Sequence, residues 1–216
     1  ASSVGPAGYR VAQHQGRAHV TIAIIDSGGA NISSVTHALK RLGAEPVFTA
    51  DADTIRRAER VILPGVGAAG AAMRRLRELG LHQCIRDLRQ PVLGICLGMQ
   101  LLFEKSDEDA VDCLGVMPGT LQKLKPSPGV RVPHMGWNTI VPVRDDPLLA
   151  GLPGSAWFYF VHSYRAPLGD TTLATCTHGE SFAAVVRKDN FYGVQFHPER
   201  SARSGARLLA NFLELT

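Results

Sequence analysis

The sequence lacks the features that mark membrane, secreted and metal-binding proteins. No run approaches the roughly 18 apolar residues of a membrane-spanning helix, and residues 1–19 contain no basic segment followed by an apolar one, as a secretory signal would. The four cysteines form no CxxC pair and have no histidines at ligand spacing. These absences favour free thiols in a reducing cytoplasm, and we expect no membrane association, no metal and no cofactor.

Charge is sparse and shows no block of one sign. Charged residues make up 19% of the 216-residue chain, and 23 Lys and Arg against 19 Asp and Glu give a formal net charge of +4. A nucleic-acid-binding surface usually shows as a clustered basic stripe, so we expect no nucleic-acid partner. Aromatic residues reach only 6%, but the 45% of hydrophobic residues suffices for a sizeable core.

The chain begins with a stretch that has no periodicity and continues as one patterned segment. Residues 1–19 are rich in Gly, Ala and Gln, and we interpret them as a mobile arm or a remnant of the expression vector. No linker, repeat or low-complexity tract follows. The length suits one α/β unit, so we predict a single domain over residues 20–216.

Strands and helices alternate up to about residue 107. The strand candidates are VTIAIID, PVFTA, RVIL and PVLGI, and helices are predicted over 31–42, 68–79, 81–88 and 97–105. Short strand-like runs dominate afterwards, with a KDN hairpin turn between FAAVVR and FYGVQF and a helix over 201–215. This order predicts a three-layer α/β fold with a mostly parallel central sheet and an antiparallel β extension.

The string GICLGMQ, residues 94–100, places a cysteine at a strand-to-helix corner. Cys96 lies between Gly94 and Gly98, which is the pattern of a nucleophile elbow. The helix N-terminus favours a thiolate, and the N–H of Leu97 is placed to bind an oxyanion. A buried cysteine between glycines also fits a small core residue, so a partner base is needed to decide.

A candidate base occurs much later in the chain. His197 and Glu199 are separated by one residue at the end of the strand FYGVQF. Residues i and i+2 of an extended chain project to the same face. One segment can therefore deliver an imidazole and the carboxylate that fixes its tautomer. We predict a triad of Cys96 as nucleophile, His197 as base and Glu199 as the orienting residue.

A third string, PGVG at residues 64–67, follows the strand RVIL. A glycine-flanked loop at the end of a parallel strand can bring backbone N–H groups close to a bound ligand. Beside Cys96 it would supply a second oxyanion donor, although Pro-Gly also occurs in any tight turn.

These three segments, in this order, resemble the class I glutamine amidotransferases. The strings IIDSGGANISSV, VPHMGWN, YFVHSY and YGVQFHPERS are similar to the glutaminase subunits of imidazole glycerol phosphate synthases. PHMGWN is the most discriminating of them, although the residues alone would also fit an aromatic turn. The resemblance covers residue 20 to the C-terminus and implies a flavodoxin-like three-layer fold.

The resemblance implies a reaction and a partner. Glutamine would be hydrolysed to glutamate and ammonia through a thioester on Cys96. The ammonia would pass, within a heterodimer, to a (β/α)₈-barrel cyclase subunit that makes imidazole glycerol phosphate and an aminoimidazole carboxamide ribotide in histidine biosynthesis.

The resemblance also assigns roles to individual residues. The catalytic triad would be Cys96, His197 and Glu199. The backbone of the oxyanion hole would come from Gly65, Val66 and Leu97. The residues around the glutamine would be Gln100, Glu108, His162, Ser163 and Tyr164. The residues facing the cyclase would be His134, Trp137, Asn138 and Arg200.

Three positions depart from the family pattern. Ser27 stands in the first loop where an aromatic is usual, Ala69 stands where an aromatic commonly follows PGVG, and Arg200 replaces a usual lysine. Arg is not a neutral replacement for Lys, because its planar guanidinium prefers bidentate partners. The changes at Ser27 and Arg200 could alter the partner surface.

Three alternatives stay open from the sequence. The chain could be an amidotransferase subunit for anthranilate, purine or pyridoxal phosphate synthesis. It could be a catalytically silent binding module of the same fold, or a cysteine hydrolase that acts on peptides or small amides.

Overall fold

The structure is a computed structural model that describes residues 20–28 and 32–215. The arm predicted for residues 1–19 lies outside the described residues. The helices are α1 (Ile32–Arg41), α2 (Ala52–Arg57), α3 (Ala69–Glu78), α4 (Leu81–Arg86), α5 (Leu97–Leu101) and α6 (Ala202–Glu214). The strands are β1 (Thr21–Ile25), β2 (Glu45–Thr49), β3 (Arg60–Leu63), β4 (Val92–Ile95), β5 (Phe103–Ser106), β6 (Val111–Asp112), β7 (Met117–Lys123), β8 (His134–Thr139), β9 (Val141–Pro142), β10 (Trp157–His162), β11 (Tyr164–Arg165), β12 (Thr172–His178), β13 (Glu180–Lys188) and β14 (Phe191–Val194).

The main sheet, as far as the chain is described, has the strand order β2-β1-β3-β4-β14-β13-β12-β9. The pairs from β2 to β14 are parallel, and those from β14 to β9 are antiparallel. The predicted fold class, a mostly parallel sheet with antiparallel strands added, is confirmed. Ligand sites in such sheets lie beyond the carboxyl ends of the parallel strands.

Helices cover both faces of the main sheet. Alternate residues of β1 divide between two apolar clusters, because successive side chains of a strand point to opposite faces. Ile24 packs with Leu39 of α1 and Phe212 of α6. On the other face, Ile25 packs with Met73 of α3 and with residues of α2 and α4. The three layers follow from burial on both faces of the parallel strands.

The helix predicted over 97–105 is too long. α5 ends at Leu101, and β5 begins at Phe103. Phe103 is fully buried and pairs in register with Met117 of β7. Helical propensity in this segment is overridden because the strand contact buries a large aromatic side chain.

Two other segments differ from the sequence interpretation. The sequence patterns did not predict α2, although Asp51 accepts the Thr54 N–H at 2.8 Å as a helix cap does. The string PHMGWN is not a turn but forms most of β8, which pairs antiparallel with β10. A further sheet has the order β11-β7-β5-β6. Among the helices formed by residues 20–28 and 32–215, none has the length and apolar content of a membrane-spanning segment.

Candidate active site

Cys96 occupies the corner between β4 and α5 in a strained backbone conformation. Its φ is 54° and its ψ is −110°, a region that non-glycine residues adopt only when their surroundings enforce it. Its N–H donates to the Val194 carbonyl at 2.8 Å. A Cβ on Gly98 would lie 1.8 Å from the Leu63 carbonyl oxygen, and one on Gly94 would lie 2.7 Å from the Gly98 oxygen. The two glycines therefore make the corner possible.

His197 leaves the carboxyl end of β14 beside this corner, because β14 runs parallel to β4. Its Nδ1 lies 2.8 Å from Glu199 Oε1, and the two side chains are 4% and 0% exposed. The other ring nitrogen is left for the hydrogen bond with Cys96. Burial alone would lower the pKa of His197, but the hydrogen bonds and charges of Cys96 and Glu199 outweigh it and raise this pKa to about 10. The geometry therefore favours an imidazolium beside the sulfur.

The backbone around His197 is held from two sides. Its N–H donates to the Tyr159 carbonyl at 2.9 Å, and its carbonyl accepts from Ser201 Oγ at 2.6 Å. A Cβ on Gly205 of α6 would lie 1.9 Å from the Pro198 oxygen. A glycine in close backbone contact thus lies beside each of the two residues, Gly98 beside Cys96 and Gly205 beside His197.

The loop at residues 64–67 packs directly on the elbow. A Cβ on Gly65 would lie 2.7 Å from the Gly98 nitrogen. The Pro64 carbonyl accepts a hydrogen bond from Ser27 Oγ at 2.8 Å, and Ser27 is 6% exposed. The small buried hydroxyl of Ser27 therefore anchors the loop from within, and Ser27 itself presents little surface to a partner.

A cleft of about 340 Å³ opens on Cys96 and His197. All five residues predicted to surround glutamine line it, together with two of the three predicted oxyanion residues. Its walls comprise Val66, Gly67, Cys96, Leu97, Gln100, Glu108, Pro133, Val161, His162, Ser163, Tyr164 and His197. Gly65 lies immediately behind the wall, in contact with Leu97 and Gly98.

Two acidic residues join this cleft to the loop at residues 64–67. Glu108 Oε2 accepts the Ala69 N–H at 2.8 Å, and Asp109 Oδ2 accepts the Gly70 N–H at 3.2 Å. They satisfy donors at the N-terminus of α3 and interact favourably with its dipole. Ala69 is fully buried beneath them. A cleft residue, Glu108, thus also fixes the point where the loop enters α3.

A hydrogen-bonded chain of two histidines stands behind the cleft. His162 Nδ1 donates to the Tyr164 carbonyl at 2.8 Å, so its Nε2 accepts from His134 Nδ1 at 3.0 Å. His134 Nε2 in turn accepts from Asn138 Nδ2 at 3.3 Å. Burial lowers the pKa of His162 to about 3. Burial, aided by the neighbouring His178, lowers the pKa of His134 to about 4. Both rings are therefore neutral, in tautomers fixed by the chain.

We expect this histidine pair to make the protein acid-sensitive. An unfolded histidine takes up a proton near pH 6.5, whereas the folded pair resists until about pH 4 and 3. Between pH 6.5 and the pKa values of the folded pair, the unfolded state binds more protons than the folded state. The free energy of unfolding therefore decreases as the pH is lowered. The loss should be up to about 2 kcal/mol per imidazole between pH 7 and pH 5. Urea unfolding measured across this range checks it.

The matched variant for that measurement is His134→Gln. Its amide keeps a donor and an acceptor in place of the ring but does not titrate. It should lose about half of the acid sensitivity. An unchanged slope of unfolding free energy against pH would contradict the assignment.

The four residues predicted to face a partner are not all on the surface. Trp137 is 49% exposed. Arg200 is exposed, with its guanidinium 4.9 Å from the centre of the Tyr159 ring. His134 is 4% exposed, between Phe160 and His178. Asn138 is half-buried and donates to the Thr177 carbonyl at 3.0 Å. In the described chain, Trp137 and Arg200 are thus the two that present substantial surface.

The sequence patterns did not predict one residue of the site. Gln195 is fully buried, and its Nε2 lies 3.8 Å from Cys96 Sγ. Its spacing could have indicated a role in the site. Gln195 precedes His197 by two residues, just as His197 precedes Glu199, and it is the polar residue in the apolar string FYGVQF. Across residues 20–28 and 32–215, no cluster of three or more His, Cys, Asp or Glu could hold a metal ion.

The chain is similar over most of its length to a known protein family and to individual proteins. The family model "Glutamine amidotransferase class-I" matches residues 23–215. The imidazole glycerol phosphate synthase subunit HisH of Xanthomonas campestris pv. campestris (strain 8004) is 57% identical over 195 residues, which cover 90% of this chain and 98% of that protein. HisH of Xylella fastidiosa (strain Temecula1) is 55% identical over 194 residues, 90% of this chain and 97% of that protein.

Solved structures are similar at much lower sequence identity. A crystal structure of a glutamine amidotransferase has a TM-score of 0.70 at 22% identity and covers 89% of this chain and 97% of that one. PurLQS from Thermotoga maritima has a TM-score of 0.69 at 18% identity, over 91% and 99%. These two likenesses concern the fold alone. With the family match over nearly the whole described chain and the close HisH relatives, the chain belongs to the class-I glutamine amidotransferases.

Proposed function

We propose that this chain is the glutamine-hydrolysing subunit of an imidazole glycerol phosphate synthase and acts in the cytoplasm, in histidine biosynthesis. The observation that carries the proposal is the cleft in which Cys96 and His197 meet the residues assigned to glutamine, with Glu199 bonded to His197 from behind. The similarity to HisH subunits over 90% of the chain supports the choice of pathway.

The triad geometry supports hydrolysis through a thioester. The Cys96 sulfur attacks the carboxamide carbon of glutamine, and the oxygen of the tetrahedral intermediate accepts from the Leu97 N–H and from the loop at residues 64–67. His197 gives its proton to the leaving ammonia, and the C–N bond breaks to leave a thioester. Water, deprotonated by His197, then attacks the thioester and releases glutamate. Glu199 keeps the imidazole oriented through both steps.

The rest of the cleft supports an amino-acid substrate. Glu108 brings a carboxylate that matches the α-ammonium group of glutamine. The neutral His162 also lines the cleft, together with Ser163 and Tyr164. Because the ring proton of His162 is committed to the Tyr164 carbonyl, this histidine orders the wall rather than exchanging protons with the substrate.

A surface next to the cleft suits a protein partner that receives the ammonia. The outward residues of the β8–β10 pair are Met135, Trp137, Trp157, Tyr159 and Val161. We call this set the β8–β10 face. Its Trp residues and Met135 are between 49% and 64% exposed, and contiguous exposed apolar surface often marks a protein interface. Val161 also lines the cleft, so a partner on this face would lie close to the triad. We propose that the partner is a (β/α)₈-barrel cyclase and the assembly a heterodimer.

The test is reconstitution with a purified cyclase subunit. We expect the partner to orient the oxyanion donor of the loop at residues 64–67. Glutamine hydrolysis should therefore rise about 10²–10³-fold on complex formation, the effect that one such donor supplies. Trp137→Ala should weaken the complex at least about tenfold, because buried tryptophans dominate interface energies. Titration of the cyclase with hydrolysis as the readout measures both effects.

Phe48→Ala is the matched control for Trp137→Ala. Phe48 is also a partly exposed aromatic, at 45%, but belongs to β2, an edge strand of the main sheet that is not part of the β8–β10 face. It should leave the affinity unchanged. Equal glutamine turnover with and without the cyclase would contradict the proposed coupling. If glutamine-dependent synthesis occurs instead with the acceptor subunit of another pathway, the proposed partner is wrong.

A further inference from the structure

The side chain of Gln195 is a fully buried amide at the centre of the site. It follows β14, and its backbone N–H donates to the Ala184 carbonyl at 2.9 Å. An amide buried without hydrogen bonds is costly, so the atoms that Gln195 contacts indicate why a polar residue occupies this position. Those atoms belong to the nucleophile and to a residue of the cleft wall.

The contacts of Gln195 determine which way its amide points. Its Oε1 accepts from Gln100 Nε2 at 3.0 Å, and its Nε2 lies 3.8 Å from Cys96 Sγ. The reverse orientation would set two NH₂ groups against each other, because the Gln100 amide is already fixed by the Tyr164 carbonyl. The hydrogen-bond network therefore directs an N–H of Gln195 at the sulfur.

The same network fixes the amide of Gln100. Its Nε2 donates to Gln195 Oε1 and to the Tyr164 carbonyl, each at 3.0 Å. Both N–H groups are thus used within the protein, and the carbonyl oxygen of Gln100 remains as an acceptor. Because Gln100 lines the cleft, that oxygen can receive a donor of the substrate, an ammonium or a primary amide.

We propose that Gln195 is a positioning residue that connects the nucleophile to substrate recognition. It donates a hydrogen bond to the Cys96 thiolate and holds the Gln100 amide with its acceptor oxygen directed at a nitrogen donor of the substrate. The second task depends on the proposed glutaminase function, whereas the first depends only on the contact with the sulfur. Hydrogen bonds to charged groups are the stronger ones, so the thiolate should respond clearly to loss of this donor.

The first test follows alkylation of the thiol and requires no turnover. Wild type, Gln195→Met and Gln195→Glu are treated with iodoacetamide across a pH series, with Cys96→Ala to subtract reaction at the other cysteines. Met keeps the length without a donor, and Glu puts an anion beside the sulfur. We expect the neutral-pH rate to fall about 10–100-fold in Gln195→Met. The pH midpoint of the reaction should move upward in both variants, and further in Gln195→Glu.

Structural damage alone would give a different result. A residue that only fills space would lower the unfolding temperature and leave the pH midpoint of alkylation in place. An unchanged midpoint in Gln195→Met overturns the proposal, because this variant removes the donor without adding a charge. This readout does not involve glutamine, so its outcome is independent of the proposed function.

The second test examines recognition in the complex with the cyclase. Gln195→Met releases the Gln100 amide from one of its hydrogen bonds. We therefore expect kcat to fall and, in addition, the KM for glutamine to rise about tenfold or more. Gln83→Met, at an exposed position of α4, is the control and should leave both constants unchanged. A Gln195→Met variant with wild-type KM overturns the link to Gln100.

Discussion

Replacing Cys96 by alanine should reduce glutamine-dependent synthesis by the complex by about 10⁴-fold or more, and leave ammonia-dependent synthesis intact. The thioester requires a sulfur nucleophile, and removing the nucleophile of a triad costs about as much as removing the whole triad. The cyclase reaction needs only ammonia, which can be added directly. Initial rates of synthesis with glutamine and with an ammonium salt measure the two activities separately.

Cys113→Ala is the matched control for Cys96→Ala. Cys113 is also a buried free cysteine, but it does not line the cleft, and burial raises its pKa to about 11. It should leave both activities near wild type. Full glutamine-dependent activity in Cys96→Ala would refute the proposed chemistry, and loss of both activities would point to a structural fault. An electrophilic glutamine analogue that labels Cys96 alone would separate a glutaminase from a peptidase.

The second large effect is expected from substitution of two glycines that pack closely against the backbone beside Cys96 and His197. Gly98→Ala and Gly205→Ala should each destabilise the fold by about 3 kcal/mol or more. A methyl group would lie 1.8 Å from the Leu63 oxygen in the first and 1.9 Å from the Pro198 oxygen in the second. Both clashes involve backbone atoms, so a side-chain rotation cannot relieve them. Urea unfolding gives the free-energy loss.

The two glycine variants should also lose activity beyond their loss of stability. Displacing α5 moves the Leu97 N–H, and displacing Pro198 moves His197 against Glu199. Gly154→Ala is the control, because nothing lies within 4 Å of its added methyl group. It should change the unfolding free energy by less than about 0.5 kcal/mol. A stable and fully active Gly98→Ala protein would show that the elbow does not need this close contact.

Most of the main sheet follows from the apolar patterns alone. The strands β1, β3 and β4 are buried on both faces, and continuous apolar runs predict such strands directly. The helix prediction for the segment after α5 is wrong, because the residues LLFEK have adequate helix propensity but residues 103–106 form a strand. Pairing with β7, distant in sequence, decides the conformation of Phe103.

The cleft residues show the same division between local pattern and tertiary contact. The elbow at Cys96 and the string HPE at residues 197–199 could be recognised from their spacing. The structure brings them together because β4 and β14 are neighbours in the sheet. The burial of His134 and of Ser27 was not recognisable, because it depends on strands and loops that pack over them from elsewhere in the chain.

The sequence by itself determined the chemistry available to this protein, namely one cysteine at a glycine-flanked corner and one histidine with its carboxylate two residues away. Spacing in a strand or a turn is local, so it can be read without the fold. Only the tertiary structure decided that Gln195 contacts the sulfur and fixes Gln100, and that the histidines behind the cleft are neutral. Those properties depend on strand register and burial, which arise when segments far apart in the chain pack together.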